Sequence, residues 1–300
     1  MRTNGKYLLA AGLLSLLCAC GKGSGFDATG TFEATEVIVS AEVSGRIMQY
    51  DVDEGTALKA GEQVGYIDTT QLYLQKMQLT ANARSVRSRA QDVSKQIAST
   101  REEIAKAQFE KRRNEKLLAS NASTQKQIDD LDSQIAVLEK KLAAQISTLQ
   151  NSNTSITEES SALEIQVAAI EDMIRKSILS SPIDGTVLAN YAQAGELAAP
   201  GKALFKVADT DNMYLRAYIT SSQLADVKIG QQVKVFSDYG DDIRKEYPGT
   251  VKWIADKAEF TPKTIQTKDE RADLVYAVKI AVPNDGYIKI GMYGEVKLSE

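Results

Sequence analysis

The chain has 300 residues and no histidine, and its 36 basic and 40 acidic side chains give a net charge of −4. Both cysteines, Cys18 and Cys20, lie near the N-terminus, so the rest of the chain lacks the residues of most zinc sites, of Ser-His and Cys-His catalytic pairs and of disulfides. The slight acidic excess is not typical of a nucleic-acid-binding protein, and the length allows about two domains.

The N-terminus predicts a lipoprotein signal peptide over residues 1–19. Two basic residues precede the apolar run YLLAAGLLSLLCA, which is shorter than the about 20 residues that span a bilayer and is typical of a secretory signal. The letters LCAC resemble a bacterial lipobox, and this resemblance implies cleavage before Cys20 and attachment of a diacylglyceryl group to its sulfur. A plain cleaved signal with an incidental cysteine is the alternative. Residues 20–29 are interpreted as a flexible Gly/Ser tether.

Two segments with the same glycine spacing predict a duplicated β unit. The glycines match in pairs at a constant offset of 140 residues: Gly45 with Gly185, Gly55 with Gly195, and Gly61 with Gly201. Such glycines among alternating apolar residues indicate short strands joined by turns that need a positive φ or a close backbone approach. The pattern resembles the two halves of a biotinyl/lipoyl carrier domain, here 30–69 and 178–209, which together form a small β-sandwich.

Residues 70–177, between these halves, predict a long antiparallel coiled-coil hairpin. Apolar residues recur at 3-4 spacing in both arms, and no glycine or proline occurs between Gly65 and Pro182. We therefore expect each arm to be one uninterrupted helix, with the polar stretch 151–160 as its weakest part.

The sequence SNAS predicts the tip of the hairpin within residues 119–124. Ser123 or Thr124 is expected to cap the second arm, because a side-chain oxygen at this position can accept a hydrogen bond from a free backbone N–H. Folding the arms about this turn pairs residues whose numbers total 242, for example Val86 with Ile156. One such register serves the whole length of the hairpin.

Alternating apolar and polar residues over 210–300 predict a β-barrel of about six strands. The segment SQLADV (222–227) predicts a short helix over one barrel mouth, and Trp253 is expected in the barrel core. The predicted fold class is therefore α+β, with a long helical hairpin inserted in a split lipoyl-like β-sandwich and a β-barrel after it.

This order of domains resembles the HlyD-type periplasmic adaptor, or membrane fusion protein, family. The resemblance implies a protein that performs no chemistry, needs no cofactor and forms a ring, expected to be a hexamer, in the periplasm of a Gram-negative bacterium. The ring would connect an inner-membrane transporter to a TolC-like outer-membrane channel, and the lipid on Cys20 would hold it to a membrane, with the inner membrane favoured. In this family the hairpin tip engages the channel through an Arg-x3-Leu-x6-Ser pattern. Here Arg113, Leu117 and Thr124 stand at the matching positions, with threonine in the serine place.

The transporter is expected to be of the ABC type. The segment 258–280 resembles the barrel of adaptors paired with ABC-type exporters, and residues 26–36 leave no room for the further membrane-proximal domain of many RND-pump adaptors. The chain has no G-x4-G-K-S/T phosphate loop, so an ATPase would be a separate subunit.

Three alternatives stay open at this point. The first is the same adaptor role for an RND pump. The second, from another class, is a purely structural coiled-coil lipoprotein. The third and least favoured is a biotin or lipoate carrier subunit, because the tripeptide that carries the modified lysine of such carriers has no counterpart after Asp68.

Overall fold

The structure is a computed structural model that describes residues 26–238, 240, 244–260 and 274–298. The predicted signal peptide and Cys20 lie outside the described residues. The helices are α1 (Thr70–Arg87), α2 (Val93–Ala119) and α3 (Gln125–Lys176). The strands are β1 (Ala28–Ser40), β2 (Gly45–Tyr50), β3 (Ala57–Leu58), β4 (Gln63–Ile67), β5 (Ile178–Ser180), β6 (Gly185–Asn190), β7 (Leu197–Ala198), β8 (Ala203–Thr220), β9 (Gln232–Asp238), β10 (Arg244–Ile254), β11 (Glu259–Phe260), β12 (Leu274–Pro283) and β13 (Tyr293–Lys297).

The two lipoyl-like halves bind each other by equivalent hydrogen bonds. Gly55 N–H donates to the Val187 carbonyl at 2.8 Å, and its counterpart Gly195 donates to the Ile47 carbonyl at the same distance. Likewise, the Gly61 N–H donates to the Ser181 carbonyl, and its counterpart Gly201 donates to the Ala41 carbonyl. Both halves supply apolar side chains to one shared core, so neither half has a complete core of its own.

The barrel closes through six strands in the order β8-β1-β13-β9-β10-β12, with β12 pairing back onto β8. The predicted segment 222–227 contains a 3-10 helix at Gln223–Ala225. Trp253 is not in the core, so that prediction is wrong. A β-bulge at Lys252 turns both Lys252 and Trp253 outward while Val251 stays fully buried.

The two β domains share their longest strands, which changes the predicted domain boundaries. Residues 28–31 of β1 pair with β13 in the barrel, whereas residues 35–40 pair with β8 in the lipoyl-like unit. The first lipoyl-like half therefore begins after residue 33 rather than at residue 30. The tether prediction over 20–29 is wrong from Phe26 onward, because Phe26 packs on Phe236 with ring centroids 5.1 Å apart.

The hairpin leaves the lipoyl-like unit between β4 and β5. These two strands are antiparallel neighbours, and Ile67 N–H donates to the Ser177 carbonyl at 2.9 Å. The two arms therefore start side by side. The mixed fold class, with the hairpin inserted in a split β-sandwich before a β-barrel, is confirmed.

The first arm is broken, contrary to the predicted continuous helix. α1 ends at Arg87 and α2 begins at Val93, capped by Asp92, whose carboxylate accepts the Lys95 N–H at 3.3 Å. The side chain of Asn153 on the opposite arm bridges the break: its Oδ1 accepts the Gln91 N–H at 2.9 Å and its Nδ2 donates to the Gln91 carbonyl at 2.8 Å. The second arm runs unbroken through 151–160, the stretch predicted to be weakest.

Contacts between the arms lie close to the predicted register. Lys111 pairs with Asp132 at 2.5 Å and the Ser160 hydroxyl lies 3.5 Å from the Ala83 carbonyl, each one position from the predicted partner. The hydroxyl group of the buried Thr100 donates to Gln145 at 2.9 Å, and Gln145 is three positions from the partner that the register predicts. These three contacts thus agree with the alignment to within three positions, whereas ion pairs of long side chains nearer the base, such as Lys76–Glu171, deviate further.

We expect Asn153→Ala to open the break. The substitution removes two hydrogen bonds worth about 1 kcal/mol each, so exchange of the Gln91 amide should accelerate by about 30-fold in native-state hydrogen exchange. Asn151→Ala is the matched control, because Asn151 is exposed on the same helix. Equal exchange at Gln91 in both variants would show that Asn153 does not hold the break.

Candidate functional site

The hairpin tip is closed by a compact turn of defined geometry. Two residues after the end of α2, Asn121 has the left-handed conformation at φ 57°, and its N–H donates to the Leu118 carbonyl at 2.9 Å. The following Ala122 N–H donates to the Leu117 carbonyl at 2.8 Å. These two bonds form a Schellman motif, in which asparagine takes the place usually held by glycine. The carbonyl groups of Leu117 and Leu118 are thereby satisfied within the turn.

The start of α3 is held to α2 by side-chain hydrogen bonds. Thr124 is the N-cap residue with extended backbone, and its N–H donates to Gln127 Oε1 at 3.2 Å, as in a capping box. The Ser123 hydroxyl lies 2.7 Å from Gln127 Oε1 and 3.0 Å from Asn114 Oδ1 on the other arm. The turn is therefore fixed at both ends.

Arg113 and Leu117 lie on one exposed face of α2, because residues four apart share a helix face. The Arg113 side chain is 66% exposed and its nearest ion-pair contact is Glu110, at 3.8 Å on the same helix. Leu117 is 38% exposed although it is apolar. Both side chains are thus available to a partner.

The structure brings the three residues of the predicted pattern to the same end of the hairpin. Thr124 is exposed just beyond the turn, at the start of α3. Below them, Lys111 and Asp132 tie the arms together, and hydrogen bonding to Asp132 raises the pKa of the Lys111 ammonium group. This ion pair holds the two helices that carry the tip.

The six repeat glycines divide into two physical classes. Gly55, Gly61, Gly195 and Gly201 have φ between 80° and 92°, as turns that need glycine require. Gly45 and Gly185 instead sit where a β-carbon would collide with a neighbour. The pairs that match in sequence therefore also match in physical role.

Sequence reasoning missed the hydrogen bonds that fix the tip and the break in the first arm. The tip contacts of Asn114 and Gln127 follow from the three-dimensional turn and have no sequence signal of their own. The break in the first arm did have a sequence signal. Arg84 and Arg87 are basic residues of the kind that favour the last turn of a helix, and Asp92 is a good N-cap residue before Val93.

Comparison with known families identifies the class of protein. The family model described as "RND MFP, barrel-sandwich hybrid domain" matches residues 35–210, which include both lipoyl-like halves and the whole hairpin. The chain therefore belongs to the membrane fusion protein family, whose members are periplasmic adaptors that work with a membrane transporter and an outer-membrane channel.

The chain is also similar to individual proteins and solved structures. The chain is 27% identical over 317 aligned residues to the UPF0194 membrane protein YE2891 of Yersinia enterocolitica, covering 96% of each chain. Among solved structures it is similar in fold to MacA from Actinobacillus actinomycetemcomitans, with a TM-score of 0.55, 22% identity and coverage of 90% of this chain and 76% of that one. The membrane fusion protein Spr0693 from Streptococcus pneumoniae matches with a TM-score of 0.50, 17% identity and coverage of 91% and 98%.

The helices of the described residues were compared with the length and hydropathy that a membrane span requires. A search of those residues finds no helix that is both long and apolar enough to cross a bilayer.

Proposed function

We propose that this adaptor connects an ABC-type exporter of the inner membrane to a TolC-like channel of the outer membrane. The observation that carries the proposal is the hairpin tip, where Arg113, Leu117 and Thr124 are exposed around a turn that is closed by its own hydrogen bonds. A site whose geometry is fixed before binding loses less conformational entropy when a partner docks.

The chemistry of the tip suits another helical tip as its partner. The five N–H donors of the Arg113 guanidinium can bond carboxylates or the free carbonyl groups at the end of a helix. Leu117 can fill an apolar groove beside them, and the Thr124 hydroxyl can both donate and accept. A TolC-like channel is proposed as the partner because, in the adaptor family that the chain resembles, this same pattern engages such a channel.

We further propose that the mature protein is anchored by acyl chains on Cys20 and forms a ring of six copies. Two or more acyl chains hold a protein on a membrane stably, where one gives only marginal binding. The hairpins of such a ring would form a sealed tube between the two membranes. The inner membrane is the proposed site of the anchor.

An RND pump is the second candidate for the transporter. The observation in its favour is the description of the matching family model, which includes the letters RND. The ABC proposal is supported by the resemblance of segment 258–280 to the barrels of ABC-exporter adaptors. The two differ in which inner-membrane protein contacts the adaptor in the cell.

The proposal is tested by photo-crosslinking in cells that express the tagged full-length protein. A photoreactive residue at Leu117 should crosslink to an outer-membrane channel, and the same residue at Val137, which is exposed on α3 away from the tip, should not. Mass spectrometry of inner-membrane proteins that purify with the tagged adaptor should identify an ABC exporter. Recovery of an RND pump would replace the transporter assignment, and equal crosslinking from both positions would remove the docking role of the tip.

A further inference from the structure

The end of the barrel farthest from the hairpin, which we call the barrel pole, is where the described chain begins. It comprises the turn Lys228–Gln231, the bulge Lys252–Trp253 and the neighbouring residues Asp27 and Leu298. Gln223 Nε2 donates to the Asp27 carbonyl at 2.6 Å, and the Asp27 carboxylate accepts the Leu298 N–H at 2.7 Å. Gln231 Nε2 donates to the Leu298 carbonyl, also at 2.7 Å. The chain thus enters the barrel beside this turn.

Two large apolar side chains are exposed at the barrel pole. Ile229 is 69% exposed, and Trp253, the single tryptophan of the chain, is 41% exposed. The backbone segments that carry them are adjacent, because the turn is hydrogen-bonded to β10 immediately before the bulge: Gly230 N–H donates to the Val251 carbonyl at 2.8 Å. The bulge that turns Trp253 outward is therefore held against the turn that presents Ile229.

Another turn of the chain provides an internal comparison. Lys289–Met292 has the same form as Lys228–Gln231: each has a glycine with positive φ in third position and closes with a bond from the fourth N–H to the first carbonyl, at 3.1 Å. The second position is isoleucine in both, but Ile290 lies at the lipoyl-like end of the barrel and is only 38% exposed. The same turn thus presents its isoleucine more openly at the pole.

Basic side chains surround the exposed apolar pair. Lys228, Lys252 and Lys257 are all exposed, and none of them forms an ion pair with another residue of the described chain. Asp226 and Asp256 are the acidic residues beside them, and Asp27 also belongs to the pole, where its carboxylate accepts the Leu298 N–H, so the described rim has three lysines and three carboxylates. Tryptophan next to lysine with an exposed aliphatic side chain is the combination that favours the interface of an anionic bilayer.

We propose that the barrel pole lies on the lipid bilayer, with Ile229 and Trp253 in the interfacial region and the three lysines at anionic phospholipid headgroups. This inference depends on the proposed anchor at Cys20, and the distance supports it. Five residues lie between Cys20 and Phe26, so six Cα-to-Cα steps connect them, and a fully extended chain of that length spans about 20 Å. An acylated Cys20 therefore keeps the pole within that distance of the membrane surface, and the pole presents the side chains that such a surface binds.

The placement can be tested independently of native acylation, because Cys20 is the only cysteine of the proposed mature chain. The protein beginning at Cys20 is coupled through that thiol to maleimide lipid in vesicles of phosphatidylethanolamine and phosphatidylglycerol that contain brominated phospholipid. The fluorescence of Trp253, the single tryptophan, then reports its contact with lipid. We expect blue-shifted and quenched emission, with a loss of most of the quenching in Ile229→Asp and none in the matched control Ile290→Asp.

Three results would overturn the placement. The first is unquenched Trp253 emission in the wild-type protein, and the second is an equal loss of quenching in the two variants. The third is a blue shift of Trp253 that occurs only when the inner-membrane transporter is present. The last result would assign the barrel pole to a protein partner instead. Native acylation is measured separately, from the intact mass of protein extracted from membranes. An unmodified Cys20 would contradict the proposed anchor, whereas quenching on maleimide vesicles would still support lipid contact by the pole.

Discussion

Arg113→Asp is expected to reduce the recovery of the outer-membrane channel with the tagged adaptor by about 10- to 100-fold. A hydrogen bond to a charged group contributes about 1.5–3 kcal/mol, and each 1.4 kcal/mol corresponds to a factor of ten in affinity. The aspartate also places a negative charge where the partner would offer carbonyl or carboxylate oxygen atoms. Quantitative immunoblotting of the channel after mild crosslinking measures the effect.

The neighbouring Arg112 provides a matched control for this prediction. Arg112 is also exposed, but one residue along a helix is a rotation of about 100°, so Arg112 points away from the face of Arg113 and Leu117. Arg112→Asp should therefore retain the channel although it changes the net charge equally. If both variants lose the channel to the same extent, the general charge of the tip and not the position of Arg113 governs docking.

Arg113→Lys separates charge from geometry at the same position. Lysine keeps the positive charge but lacks the planar fork of donors that arginine offers. We expect an intermediate loss of channel if the guanidinium makes more than one hydrogen bond. Full retention would mean that Arg113 acts as a point charge only.

The sequence was most informative where a structural requirement recurs at a fixed spacing. The six repeat glycines revealed the split β-sandwich, because the same turn and the same close approach are needed twice in a duplicated unit. The apolar periodicity predicted the two arms of the hairpin, since every layer of a coiled coil needs buried side chains. The tip pattern was of a different kind, because it came from the resemblance to the adaptor family and not from a recurring spacing within the chain.

Features that depend on a single contact between distant residues could not be predicted in this way. Asp92 does mark the start of α2 as a possible N-cap, but the bridge across the break at Gln91 is made by one side chain, Asn153, which has no partner until the arms are folded together. The outward position of Trp253 depends on one extra residue in β10, and alternation of apolar and polar residues does not reveal a bulge. The boundary near residue 33 was missed because β1 is continuous through both β domains.

The glycine pairs allow a sharp test of why glycine is needed at each position. A β-carbon at Gly185 would lie 2.2 Å from the carbonyl oxygen of Ala208, a fully buried residue of the neighbouring β8. At Gly195, where φ is 92°, a β-carbon would have no atom within 4 Å. The first glycine avoids a collision with backbone, whereas the second avoids only an unfavourable backbone conformation.

Gly185→Ala is therefore expected to destabilise the protein by about 3 kcal/mol or more, because two paired strands would have to separate to admit the methyl group. Gly195→Ala should cost only about 1 kcal/mol. In a domain of this size these values correspond to decreases in Tm of about 6–12 °C and about 2–4 °C, measurable by calorimetry. Equal decreases would mean that the close approach of β8 at Gly185 is relieved at little cost.

Gly45→Ala completes the comparison, because Gly45 is the repeat counterpart of Gly185 but has a softer neighbour. Its β-carbon would meet the Ile67 Cγ2 methyl group at 2.5 Å and the Asp68 carbonyl oxygen at 3.0 Å. An isoleucine side chain can move where a paired strand cannot, so the loss of stability should fall between those of the other two variants. A loss as large as that of Gly185→Ala would show that Ile67, fully buried beside the root of the hairpin, has no freedom to adjust.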